Sequence, residues 1–158
     1  MPDDSMSISF GHFLVFADDL EKTVKWYGDV LGLKPGPLPE FEVPVYWLYL
    51  DDQPILHVVQ RDPERGVDEA YIGKVDHDAP PGSGRIDHVA FDAKGLDDVL
   101  ARLDNLGIDY IERRVDLYSR YQLFFFDPNG IKIELDFSAE EIGDRRPPDL
   151  FEELAAAT

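Results

Sequence analysis

Laid over itself with an offset of about 76 residues, this chain matches itself. Gly11-His12-Phe13-Leu14-Val15-Phe16 falls on Asp87-His88-Val89-Ala90-Phe91. Asp29-Val30-Leu31-Gly32-Leu33 falls on Asp104-Asn105-Leu106-Gly107-Ile108, and Ile55-Leu56-His57-Val58 on Lys132-Ile133-Glu134-Leu135. An internal repeat restricts the fold to two copies of one unit. Three of the four histidines and one carboxylate stand at repeat-related places. All are residue types that bind metals, so the pattern points to a metal site built across both copies.

Within each copy the periodicities predict βαβββ. Residues 7–16 are apolar and rich in Phe, Ile and Val, a strand pattern. An acidic cap at Asp18-Asp19 then opens a helix, with Leu20, Val24, Tyr27 and Leu31 at helical spacing and Gly32 at its end. Strands are expected at 43–50 and 55–60, joined by the polar turn Asp51 to Pro54, with a further strand near 36–42. The second copy predicts a strand at 85–91 and a helix at 95–105 carrying Leu96, Val99, Leu100 and Leu103. Gly107 ends that helix, and strands follow at 108–114, 121–126 and 131–137. Asp127-Pro128-Asn129-Gly130 is a turn in which Pro presets φ and Gly supplies positive φ.

At 158 residues the chain is the size of one compact domain. Module one covers about 7–60, a charged connector 61–84, module two about 85–137 and a tail 138–158. The connector reads as a solvated linker or as a lid, with His77 a surface residue. The tail is expected to pack on the domain or on a partner subunit, with a helix-like run at 149–157. Cysteine is absent, which excludes disulfides, thiolate zinc sites and a cysteine nucleophile. The formal charge of -18 argues against nucleic acid and anionic membranes. No apolar run is long enough to span a bilayer and the first residues are acidic, so a cytoplasmic protein is expected.

Strand parity places His57 on a face with Ile55 and Val59, and Glu134 on a face with Lys132 and Asp136. A Glu inside the apolar run 131–135 is costly to bury without a compensating charge. A divalent cation flanked by imidazoles would compensate it. Two His and a carboxylate suit Fe(II), and a fourth nitrogen also admits Zn(II), Ni(II) or Mn(II). The other reading of any single His here is a hydrogen-bonded core residue. Tyr46, Trp47, Tyr49, Tyr121 and Phe124 are candidates to line a pocket for a planar substrate, or are simply core. Arg120 could hold a substrate carboxylate or stand exposed.

These residues carry a resemblance. Tyr27-Gly28-Asp29-Val30-Leu31-Gly32-Leu33, Asp87-His88-Val89-Ala90-Phe91, and Asp127-Pro128-Asn129-Gly130 leading to Ile133-Glu134-Leu135 resemble the vicinal oxygen chelate superfamily over residues 8–137. That superfamily includes glyoxalase I, extradiol dioxygenases and fosfomycin resistance proteins. The resemblance implies an α+β fold in which two paired βαβββ modules form a cupped mixed sheet around a divalent metal. It implies His12, His88 and Glu134 as ligands, with the fourth position at His57, and a homodimer. Glyoxalase I carries Glu at the place of His57, and Phe124 stands where extradiol dioxygenases carry a Tyr. The implied activity is metal-dependent lyase or isomerase chemistry, or Fe(II)-dependent dioxygenation, on a small oxygen-chelating substrate. His57 and Glu134 are the candidate catalytic residues, His57 as ligand or as base. The alternative is a small-molecule (antibiotic) binding protein of the same fold.

Overall fold

Asp19 accepts a hydrogen bond from the backbone N–H of Lys22 and so caps the first helix, as its acidic start predicts. Gly32, at φ 74°, closes the same helix in the left-handed conformation that glycine adopts without a Cβ clash. The computed structural model describes residues 9–41, 43–61 and 79–149, and the chain divides into two compact units, Met1–Asp78 and Ala79–Thr158. Residues 62–78 of the expected linker or lid, His77 among them, lie outside the described residues, as does nearly all of the helix-like run at 149–157.

In the first unit β1 (Phe13–Ala17) is followed by α1 (Leu20–Leu31), β2 (Lys34–Pro35), β3 (Val45–Leu50) and β4 (Gln53–Gln60). The sheet order is β1-β4-β3-β2, with β1 parallel to β4 and the remaining pairs antiparallel. The helix buries Leu20, Thr23, Tyr27 and Val30, a stripe that excludes the expected Val24 and Leu31. Gln60 ties sheet to helix, accepting from the Leu20 N–H and donating to the carbonyls of Ala17 and Asp18. The strand expected near 36–42 is not formed over residues 36–41; pairing stops with β2, and Gly36 N–H to Trp47 O is the last rung. Pro35, Pro37 and Pro39 have no N–H to extend a ladder.

The second unit repeats this order in β5 (His88–Asp92), α2 (Leu96–Asn105), β6 (Ile111–Val115), β7 (Arg120–Phe126) and β8 (Lys132–Ser138). Its sheet order is β5-β8-β7-β6, again with one parallel pair, β5 with β8. The duplication read in the sequence is therefore a duplication of topology, and the fold class is α+β. Here β6 begins at Ile111 and not at 108, because the Ile108 N–H still bonds the Leu103 carbonyl at the helix end. In the Asp127–Gly130 turn, Asp127 Oδ1 accepts from the N–H groups of Asn129 and Ile131, and Gly130 has φ 80°. Gly82 from the end of the connector rests on this turn, its N–H bonding Asn129 O.

The described part of the tail packs on its own unit. Glu141 Oε2 accepts from the N–H groups of Gly95 and Leu96, setting a carboxylate at the positive end of α2. Asp149 accepts from the Asp116 N–H, and Pro148 O from the Arg114 N–H. Among the described residues no helix is long and apolar enough to cross a membrane.

Candidate metal centre

Strand pairing decides which side chains meet. In the first unit Leu14 of β1 and Trp47 of β3 both register with His57 of β4, so the three share a face. His12 sits just ahead of β1, two residues before Leu14, and so reaches the same face. The imidazoles of His12 and His57 stack with ring centroids 3.7 Å apart, and the Trp47 indole stacks on His57 at 4.2 Å. His57 is thus sandwiched, 5% exposed, while His12 is open to solvent. The Nε2 of His57 is buried and has no hydrogen-bond partner among the described residues. Burial, and secondarily repulsion from His12, lowers the His57 pKa from 6.5 to about 4.

In the second unit Ala90 of β5 and Phe124 of β7 register with Glu134 of β8, and Asp92 and Gln122 with Asp136. His88 opens β5 on the same face. Its Nε2 lies 2.8 Å from Glu134 Oε2, and its Nδ1 lies 2.7 Å from Asp87 Oδ2. Lys132 in turn donates to both oxygens of Asp87. Gln122 Nε2 donates to Glu134 Oε1 and to Asp136 Oδ1, each at 3.0 Å. Glu134 is only 6% exposed. Burial first, then the adjacent Asp136, raises its pKa to about 7, against the lowering effect of His88 and Arg113.

The four donors nominated from sequence therefore come together as two pairs, His12 with His57 and His88 with Glu134. Among the described residues no group of three or more His, Asp or Glu side chains is set to hold a metal, so each unit by itself offers a pair. What each pair presents fits a cation. In one, a buried imidazole nitrogen lacks any partner. In the other, Asp87 engages Nδ1 of His88 and turns Nε2 toward Glu134, so that an imidazole nitrogen and a carboxylate oxygen face each other with the outer carboxylate–histidine contact common at metal sites.

The substrate candidates divide by parity. Phe124 lies on the Glu134 face, its ring edge-on to His88. Tyr121 does not: it registers with Phe137 on the opposite face, is fully buried, and donates its hydroxyl to Glu112. Its pKa is pushed up, chiefly by burial, and its role is in the core. Tyr46 likewise registers with Val58, on the face away from His57, and its hydroxyl bonds Glu21 of α1. Tyr49 seats its ring against Gly36, where a Cβ would come within 2.6 Å of it, and donates to Pro37 O. Arg120 is 47% exposed beside Asp92, at 3.9 Å. Gln122 and Arg113 escaped the sequence reading, although period two places Gln122 on the face of Phe124.

Comparison with known proteins agrees with this architecture. The family model of the Glyoxalase/Bleomycin resistance protein/Dioxygenase superfamily matches residues 9–135, and the chain belongs to that superfamily. A curated relative, Glyoxylase I 4 of Arabidopsis thaliana, is 27% identical over 130 residues, covering 80% of this chain and 69% of the relative. Lactoylglutathione lyase from Agrobacterium tumefaciens superposes with a TM-score of 0.61 at 19% identity, over 87% of this chain and 96% of that one. The fosfomycin resistance protein FosX from Listeria monocytogenes gives 0.61 at 15% identity, over 84% and 95%. At these identities the two structures speak for the fold.

Proposed function

We propose that this protein is a divalent-metal-dependent enzyme acting on a small oxygen-chelating substrate, by lyase or isomerase chemistry or by Fe(II)-dependent dioxygenation. The observation that carries the reading is the buried, partnerless Nε2 of His57. A buried polar atom without a partner forfeits hydration for nothing, and a cation at that nitrogen would restore the balance. In this proposal His12 and His57 from one module and His88 and Glu134 from the other supply the ligands, from one chain or from two copies of it. The candidate ions are Fe(II), Zn(II), Ni(II) and Mn(II). When bound, such an ion supplies Lewis-acid polarisation of substrate oxygens.

The protein's own groups divide the remaining work. His57, with its pKa near 4, is neutral at working pH and a weak base, which favours the ligand role. In the metal-free chain burial holds the Glu134 pKa up at about 7, so a cation bound there would displace its proton and metal uptake should strengthen as pH rises through neutrality. Phe124 offers a planar surface beside His88.

The name of the Arabidopsis relative favours the lyase branch. Elemental analysis of protein purified without chelators tests the metal. Oxygen uptake with a catechol panel, set against turnover of a hemithioacetal of glutathione, separates the two chemistries. A second reading, a non-catalytic small-molecule binding protein, draws on the absence of any three-donor group among the described residues. Protein that neither retains nor takes up stoichiometric metal would favour it.

A further inference from the structure

Arg113 belongs to β6 and registers with Gln122, which puts it on the face that carries Glu134. Two contacts hold its guanidinium. Nε donates to Gln122 Oε1 at 2.9 Å, and Cζ lies over the Phe124 ring, 4.8 Å from the centroid. In a chain with 33 acidic residues, no carboxylate among the described residues lies within ion-pair distance of Arg113. Its terminal amino groups are therefore a half-buried fork, already ordered and still able to donate. Such a fork matches the two oxygens of a carboxylate, and holding it in place beforehand removes much of the entropy cost of binding. Local capture of this kind is what an anion requires here, because the net charge of -18 repels it at long range.

We infer that Arg113 anchors a carboxylate on the substrate, and that the substrate is a planar, oxygen-chelating acid whose carboxylate is set apart from its chelating oxygens. The spacing follows from Gln122, which bridges Arg113 and Glu134: one amide and two hydrogen bonds separate the guanidinium from the Glu134 carboxylate. That is about the width of an aromatic or enolic ring with its substituents. Gln122 is fixed in orientation by the same bond, since its oxygen faces Arg113 and its nitrogen must face Glu134 and Asp136. The inference rests on the metal-enzyme reading for the chelating oxygens and on Arg113 alone for the acid.

The test uses 3,4-dihydroxybenzoate and its neutral amide, titrated calorimetrically into zinc-loaded and chelator-treated protein. Wild type should bind the acid roughly tenfold or more tightly than the amide, as expected when a charged hydrogen bond replaces a neutral one. Arg113→Gln should bring the two to parity while still taking up stoichiometric zinc. Arg113→Lys should restore only part of the preference, since an ammonium cannot present the fork. Equal binding of acid and amide by wild type, or a preference that survives in Arg113→Gln, overturns the anchor. Should wild type take up no zinc, the metal reading fails by itself. The chelator-treated titration then decides: a preference for the acid that Arg113→Gln removes supports the anchor, and no preference overturns it.

Discussion

The imidazole of His12 lies flat on that of His57, with centroids 3.7 Å apart and planes 15° from parallel. These two rings come from just ahead of the first strand and from the middle of the last strand of one module, brought together by the parallel pairing of β1 with β4. The equivalent pairing of β5 with β8 joins His88 to Glu134. Replacing either member of the second pair should therefore abolish stoichiometric metal uptake. His88→Ala and Glu134→Ala should keep the wild-type circular dichroism spectrum while losing bound metal by elemental analysis. Wild-type metal content in either variant would remove the assignment.

His57→Gln tests the first pair. A ligand lost from a metal site weakens affinity at least as much as a lost outer-shell partner, about 10- to 100-fold. Competition against a chromophoric chelator measures it. Unchanged affinity with lost turnover would make His57 a base and not a ligand.

Metal-free protein should lose stability in acid through His57. The unfolded chain protonates this group near 6.5, the folded chain only near 4. Stability from His57 is thus fully present above pH 6.5 and drains as pH falls toward 4. Glu134, raised to about 7 by burial, has the opposite slope, stabilising in acid and losing that contribution as pH rises through 7. Urea melts of chelator-treated wild type and His57→Gln across this range isolate the histidine: the variant should show a shallower loss between pH 6.5 and 4.

Gln122→Leu should destabilise the protein by about 1–3 kcal/mol, because it leaves the buried Glu134 oxygen without its donor. Gln122→Glu should be worse at neutral pH, adding a third carboxylate to Glu134 and Asp136. Thermal melts at pH 5 and pH 8 read the difference, which should widen at the higher pH.

Homodimer formation is also expected. β1 and β5 are each the outer strand of a four-stranded sheet, and Ile111 on edge strand β6 is 64% exposed. Open edges and exposed apolar side chains favour a symmetric partner. Light scattering at micromolar concentration should give twice the chain mass; a monomeric mass contradicts this.

The repeat made the topology legible, because Gly32 and Gly107, and His57 and Glu134, stand at nearly the same offset, as two copies of one unit require. It made the meeting of His12 with His57 and of His88 with Glu134 legible too. What it hid was the face of each aromatic. Tyr46 and Tyr121 look like neighbours of Trp47 and Phe124 in the chain, yet one step in a strand turns a side chain to the other side of the sheet. Tyr46 thereby meets Glu21, and Tyr121 meets Glu112. The register shift between Leu48 and Leu50 has no counterpart in any residue pattern of β3. Arg113 was hidden for a different reason: a charged residue on an edge strand looks like solvent-facing surface until its partners, Gln122 and Phe124, are known.

The indole resting on His57 also makes the molecule its own optical gauge. Trp47 is one of two tryptophans, and its ring planes lie only 6° from those of the imidazole beneath it. Light absorbed by that indole is lost to a protonated imidazole in contact with it, or to a neighbouring ion with a partly filled d shell, and is kept beside a neutral ring or a zinc ion. In a Trp26→Phe variant the emission of Trp47 alone would report, without any added dye, whether His57 is acid-charged or neutral, and whether an ion loaded at the proposed site is iron or nickel or instead zinc.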